Sequence, residues 1–350
     1  NVSKLLSVAP LLPAHRYSQD EITQPLVDSF SGDEKIAAVI RRIHGATGVE
    51  YRSLVMTIDT YWGINNFTHA NQLFREHGLP LAIAATRRAL DDAGVKPTDV
   101  DYLFFMTVTG VGAPSLDVDL AQAVGFRSDV KRTPSFGLGC AAGAAGIARL
   151  NDLLCGRPDA LAILVSLELC SLTIQWHDTS MANIVGTGLF GDGASALVLA
   201  GEYRLEKPIA RVLGSRSTLY PESTETIGWN IGSHGLRLML TPAVPKLIDR
   251  HLADDIDALL SDHGLNRDDV KEWIAHPGGP RVLEAFSDAL DLAPGDLATS
   301  WDVLAQAGNL SSSAVLHVLA RHVTNPAGHL AVLFALGPGV SLEMVLVEWQ

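Results

Sequence analysis

"GVKPTDV", Gly94 to Val100, and "GLNRDDV", Gly264 to Val270, stand 170 positions apart and share one pattern: glycine, short polar turn, aspartate, valine. The first follows the helix-period stretch "LPLAIAATRRALDDAG" (79–94) and leads into the apolar run "VDYLFFMTVTG" (100–110). The second follows "IDALLSDHG" (256–264) and leads into "VKEWIAHPGG" (270–279). Each joint reads as helix, glycine stop, turn, strand. Two further pairs keep the spacing: "GLGCAAGAAGIARLNDLL" (137–154) lies opposite "AGNLSSSAVLHVLARHV" (307–323), and "LAILVSLEL" (161–169) opposite "LAVLFALGPG" (330–339), within one residue. Four elements in register at one offset predict a duplicated chain, the competing reading being chance likeness of generic βαβ pieces. Strands such as "LAILVSL" lack alternation and so suit sheets covered by helices on both faces. The expected fold is α/β in two halves, residues 1–201 and 202–350. The first half closes on the hairpin-like "GLFGDGASALVLAG" (188–201), and the polar "EYRLEKPIAR" (202–211) leads into the second. The last strands are turned by Gly337-Pro338-Gly339.

Composition narrows the function. The chain has 350 residues, 47% hydrophobic and 19% charged, which is the balance of a packed globular protein. Its net charge of -13 argues against a nucleic-acid partner, because phosphate binding draws on clustered lysine and arginine. No apolar run approaches a membrane span, and the opening residues lack the charge and apolar centre of a secretory leader, so a cytoplasmic protein is expected. The three cysteines, Cys140, Cys155 and Cys170, form no C-x-x-C pair, which disfavours a metal site or a disulfide framework.

Cys140 stands in "FGLGCAAGAAG" (136–146), at the expected start of a helix, where unpaired N–H groups favour a thiolate. A lone cysteine there is otherwise a small buried residue. The duplication sets Asn309 opposite Gly139, beside Cys140, so pseudo-symmetry brings two helix starts together. His276, at the end of "EWIAH", is the counterpart of Met106 at a strand exit. The group holds Cys, His and Asn but no carboxylate. An amide N–H and an imidazole N–H suit an oxyanion or enolate derived from a thioester, which points to acyl transfer with carbon–carbon bond formation.

"FGLGCAAGAAG", "GLFGDGASA", "AHPGGPRVLEAF", "AGNLSSSAVLHV" and "ALGPGVSLE" occur in the order and spacing of the type III polyketide synthases, the chalcone synthase superfamily, which the chain resembles over nearly its whole length. The resemblance implies the thiolase fold, two duplicated halves in a five-layered αβαβα arrangement, and a homodimer. It implies no cofactor, the substrates being coenzyme A thioesters, with malonyl-CoA as extender and another acyl-CoA as a further candidate starter. Cys140 then carries the acyl chain and partners His276, while His276 and Asn309 bind the thioester oxygen. Phe190 borders the entrance. Arg52 and Arg281 are candidates for the CoA phosphates, or else ordinary solvated arginines. The polar pocket positions fall on Glu168, Cys170 and Thr173, and the pocket wall on Trp229 and Leu238, with Trp229 expected to shrink the cavity. Ser311 and the turn Gly337, Pro338 and Gly339 complete the expected pocket.

"VTGVGAPSLD", "LVSLELCSLT" and "GWNIGSHGLRL" are similar to the bacterial members that make 1,3,6,8-tetrahydroxynaphthalene from malonyl-CoA alone. Some of those have a second cysteine where this chain has Val108; Cys170 is either a second active thiol or an inert buried one. The expectation is a malonyl-primed pentaketide. An acyl-CoA-primed alkylpyrone or alkylresorcinol synthase is the next reading, and a β-ketoacyl carrier-protein synthase, a cysteine hydrolase and a noncatalytic paralogue are the rivals beyond it.

Overall fold

The two joints at the 170-residue offset are built alike. Gly94 and Gly264 both take left-handed backbone, with φ of 68° and 69°. Val95 N–H returns to Leu90 O and Leu265 N–H to Leu260 O, each at 3.0–3.1 Å, closing the helix end in the manner that glycine permits. Asp99 then accepts from Lys96 N–H at 2.8 Å and Asp269 from Asn266 N–H at 2.9 Å, holding one 3₁₀ turn before each strand.

The structure is a computed structural model and describes residues 2–350. From the N-terminus, β1 (Ser3–Leu11) and β2 (His15–Ser18) precede α1 (Gln19–Ser29) and α2 (Glu34–Gly45). After β3 (Tyr51–Leu54) come α3 (Phe67–Ala93), β4 (Tyr102–Thr107), α4 (Asp117–Val124) and β5 (Lys131–Phe136). The first half ends with α5 (Ala142–Gly156), β6 (Leu161–Leu169), α6 (Met181–Leu189) and β7 (Asp192–Ala200). The second half opens with β8 (Ala210–Leu219), the ribbon β9 (Ile227–Gly232) and β10 (Gly235–Leu240), then α7 (Val244–Ser261) and β11 (Val270–Ala275). It closes with α8 (Pro280–Leu290), α9 (Ala298–Ala307), α10 (Ala314–Ala320), β12 (Leu330–Gly337) and β13 (Ser341–Trp349).

Nine strands pair in the order β11-β12-β13-β8-β1-β7-β6-β4-β5. Outward from the β1–β8 junction the two halves repeat each other: antiparallel β1–β7 and β7–β6 then parallel β6–β4, against antiparallel β8–β13 and β13–β12 then parallel β12–β11. Among the described residues β1 and β8 share three pairs, from Ser3↔Val212 to Leu5↔Ala210. Alternation along the strands builds the layers. Ala162, Leu164, Ala331 and Leu333 face a core shared with α5 and α10, whereas Leu161 and Ile163 face α3 and α4, and Val332 and Phe334 face α7 and α8. The result is helix, sheet, helix, sheet, helix. In the middle layer Gly143 is required, since a Cβ there would lie 2.5 Å from Ser312 O.

Two elements differ from the sequence reading. The helix expected from residue 79 begins twelve residues earlier, at Phe67, and runs through Pro80. Gly78, inside this helix, is a packing residue: a Cβ there would lie 2.7 Å from Leu167 Cδ2 on β6. Residues 188–201 are not a hairpin but the end of α6 and the single strand β7. The glycines of "GDG" serve close approach rather than a turn, since a Cβ on Gly191 would meet Ala307 O at 2.4 Å.

Candidate active site

Cys140 is placed by a glycine-governed turn. After β5 the chain passes Gly137 and Gly139, with φ of 101° and 53°, into one 3₁₀ turn, Gly139–Ala141, ahead of α5. A side chain at Gly139 would strike Pro338 at 2.6 Å, so glycine lets the β12–β13 turn close over this corner. Asn309 follows α9 through Gly308 and is tied by its backbone to the end of α6: its N–H donates to Leu189 O at 2.8 Å and its carbonyl accepts from Gly191 N–H at 3.0 Å. His276 stands one residue beyond β11, its N–H donating to Phe334 O at 2.9 Å. The three side chains come together on the wall of a cavity of about 700 Å³.

The Asn309 amide is pinned. Its Oδ1 accepts from Ser311 N–H at 2.8 Å and its Nδ2 donates to Gly278 O at 3.2 Å, which leaves one N–H for the cavity. The Cys140 thiol lies 3.9 Å from Ser311 Oγ and 4.0 Å from Asn309 Oδ1. Both nitrogens of His276 are buried without a hydrogen-bond partner, which costs free energy in a resting site and leaves the ring available to a substrate. Burial pushes the Cys140 thiol up to about 12, partly opposed by its contact with Ser311, and brings His276 down to about 3. Desolvation thus works against the thiolate expected at this helix start. A thiol, an imidazole with free nitrogens and an amide donor around one largely apolar cavity can carry an acyl thioester and stabilise an anionic oxygen.

Residues 3–202 match the family described as chalcone and stilbene synthases, N-terminal domain, and residues 212–349 match its C-terminal domain. The chain belongs to this family. It is a type III polyketide synthase, an acyltransferase that works by decarboxylative condensation. The synthase is 44% identical to a 1,3,6,8-tetrahydroxynaphthalene synthase of Streptomyces peucetius subsp. caesius, over 99% of this chain and 93% of the relative. It is 30% identical to a putative chalcone synthase of Bacillus subtilis, over 99% and 98% of the two chains. The crystal structure of 1,3,6,8-tetrahydroxynaphthalene synthase from Streptomyces coelicolor A3(2) superposes with a TM-score of 0.92 at 30% identity, covering 99% of each chain. The fold is thus the expected thiolase type.

Around this centre the synthase divides the remaining candidates. Phe190 and Leu238 line the cavity with Leu189, Ile227, Leu240 and Phe286, and Arg281 stands exposed on the same wall. Arg42, near the end of α2, also reaches it, and an arginine on an ordinary amphipathic helix gave no sign of this in the sequence. Trp229, expected to narrow the cavity, is not among the residues on its wall. It pairs with Leu238 across the β9–β10 ribbon and lays its ring 5.9 Å from that of Phe190, which does line the cavity.

Glu168, Cys170 and Thr173 lie beneath the wall rather than on it. The Glu168 carboxylate is wholly buried and accepts from Ser312 Oγ at 2.6 Å, Thr109 Oγ1 at 2.8 Å, Val108 N–H at 3.1 Å and Thr107 Oγ1 at 3.2 Å. Burial raises its pKa and these donors oppose the rise. Cys170 is buried and its thiol is pushed well up by desolvation, then by Glu168 and Asp192. Thr173 spends its hydroxyl on Cys170 O at 2.7 Å. The turn Gly337–Gly339 braces the Cys140 corner and does not line the cavity, where Leu336 does.

Arg52 is corrected outright. It is 1% exposed, and its guanidinium donates to Gln19 Oε1, Thr187 O and Phe190 O, so it cannot meet a phosphate in solvent. Among the described residues no cluster of three His, Cys, Asp or Glu is arranged to hold a metal ion, and no helix is long and apolar enough to cross a membrane.

Proposed function

We propose that the synthase is primed and extended by malonyl-CoA and makes a pentaketide that cyclises to 1,3,6,8-tetrahydroxynaphthalene. The observation that carries the chemistry is the meeting of Cys140, His276 and Asn309 in one largely apolar cavity; the 44% identity to the Streptomyces peucetius enzyme supports the product. In this reading His276 takes the Cys140 proton and the sulfur attacks the starter thioester, expelling CoA. Malonyl-CoA then loses CO₂, and its electron pair becomes an enolate whose oxygen is held by the His276 and Asn309 N–H groups. The enolate carbon attacks the acyl carbon on Sγ, and the lengthened chain leaves as a CoA thioester before returning to Cys140. Mass spectrometry of products from malonyl-CoA alone is the test: naphthalene-type pentaketide is expected, and product formed only with added long acyl-CoAs, or only from malonyl-carrier protein, would overturn the reading.

Arg281 and Arg42 are the cations proposed for the CoA phosphates, being exposed at the cavity that holds the thiol. Arg42→Ala with Arg281→Ala should raise KM for malonyl-CoA roughly tenfold, the loss of about 1.4 kcal/mol of charge-assisted binding. KM for malonyl-N-acetylcysteamine, which has no phosphates, should not move; an equal rise for both thioesters counts against the assignment. The proposed setting is the cytoplasm, where CoA thioesters are available, and the proposed assembly is a homodimer. Phe136, 43% exposed at the end of the edge strand β5, is the sort of apolar group an interface covers. Light scattering should give twice the chain mass of 37.4 kDa; a single-chain mass would exclude the dimer.

A further inference from the structure

The end of α6 is satisfied by an unusual set of partners. A helix leaves its last carbonyls without intrahelical donors. Here Gly186 O is taken by Phe190 N–H, and the next four carbonyls each find a donor from elsewhere. Arg52 Nη1 donates to Thr187 O at 2.7 Å and to Phe190 O at 3.0 Å. Gln19 Nε2 donates to Gly188 O at 2.7 Å, and Asn309 N–H to Leu189 O. The other edge of the guanidinium, Nε and Nη2, is held by Gln19 Oε1 at 3.1 and 2.8 Å. Arg52 and Gln19 therefore form one buried clamp on three of the four carbonyls, and the fourth belongs to Asn309.

We propose that Arg52, locked by Gln19, is a positioning residue that sets the place of Asn309 and Phe190 through the end of α6; this rests on the enolate role of Asn309 given above. The coupling is direct, because both backbone groups of Asn309 are bonded to the segment Leu189–Gly191 that the clamp holds. The Arg52 stem also packs on the residue before Asn309: a Cβ on Gly308 would lie 3.2 Å from Arg52 Cγ and Cδ. Only a planar fork serves two carbonyls on one side and an amide oxygen on the other, and a cation suits a helix C-terminus. Lysine keeps the charge and loses the fork.

The test compares Arg52→Lys and Gln19→Ala with Asn309→Ala, using malonyl decarboxylation on both malonyl-CoA and malonyl-N-acetylcysteamine, and iodoacetamide labelling of Cys140. Small displacements of a catalytic group are costly, so kcat should fall at least about tenfold in Arg52→Lys and Gln19→Ala. The fall should be equal for both thioesters, with KM and Cys140 labelling within about twofold of the parent. A defect seen with malonyl-CoA and absent with malonyl-N-acetylcysteamine would make Arg52 a phosphate ligand and overturn the proposal. So would unchanged kcat beside an impaired Asn309→Ala, or a parallel loss of Cys140 labelling, which marks a generally disturbed fold. Asn309→Ala that still decarboxylates would instead sink the enolate reading itself.

Discussion

Cys140→Ala is expected to lower polyketide formation from malonyl-CoA at least about 10³-fold, in line with the losses seen when a covalent nucleophile is removed. Decarboxylation of malonyl-CoA should persist, because His276 and Asn309 are placed by β11 and by the end of α6 and not by the thiol. Acetyl-CoA then accumulates, and intact-protein mass spectrometry finds no acyl adduct. The split separates carrying the chain from making the carbanion, and polyketide made at the parental rate would remove Cys140 from the mechanism. The activation of the thiol belongs to the same argument. Burial opposes a charge on Cys140 and a charge on His276 when each forms alone. Proton transfer from sulfur to an imidazole nitrogen creates both together on one cavity wall, where opposite charges offset each other and the pair titrates as a unit. Without His276 the desolvation of the thiol is opposed only weakly, by Ser311 and Asn309, so His276→Ala should also slow iodoacetamide labelling of Cys140 at neutral pH.

How much of this was legible depended on whether the cause was local. The joints at Gly94 and Gly264 were readable because a left-handed glycine and an aspartate three residues beyond the turn's start act within one turn of chain. The offset they set also carried the nearness of Cys140 to Asn309, since pseudo-symmetric elements meet where their counterparts meet. The "GDG" of residues 191–193 misled because it has the form of a local break and answers instead a neighbour distant in sequence, Ala307. Arg52 failed in the same way, because a basic residue in a four-residue strand carries no mark of which face it takes. For Glu168 the mark was present. A carboxylate in "LAILVSLEL", a strand with no solvent face, has to be buried among donors, and Thr107, Thr109 and Ser312 supply them.

Asn309→Ala should reduce malonyl decarboxylation by about 10² to 10³, the range found when one preorganised oxyanion donor, worth about 3–4 kcal/mol, is deleted. The alanine also removes the Oδ1 that holds Ser311 N–H, so a fall in rate alone leaves two explanations, a lost donor and a loosened turn. Asn309→Asp separates them. It has the same shape and keeps an oxygen for Ser311, but the Nδ2 that donates to Gly278 O and points its second hydrogen at the cavity becomes an acceptor. If the amide serves as a donor to the enolate, Asp is as damaging as Ala or worse, because a carboxylate beside a developing negative charge adds repulsion at a buried position. If the side chain is only a brace for Ser311, Asp retains most of the rate. His276→Ala should produce a loss of similar size, and the double variant one smaller than the product of the two, since both donors act on one oxygen and couple through it. Independent, multiplying losses would mean that His276 and Asn309 hold different atoms.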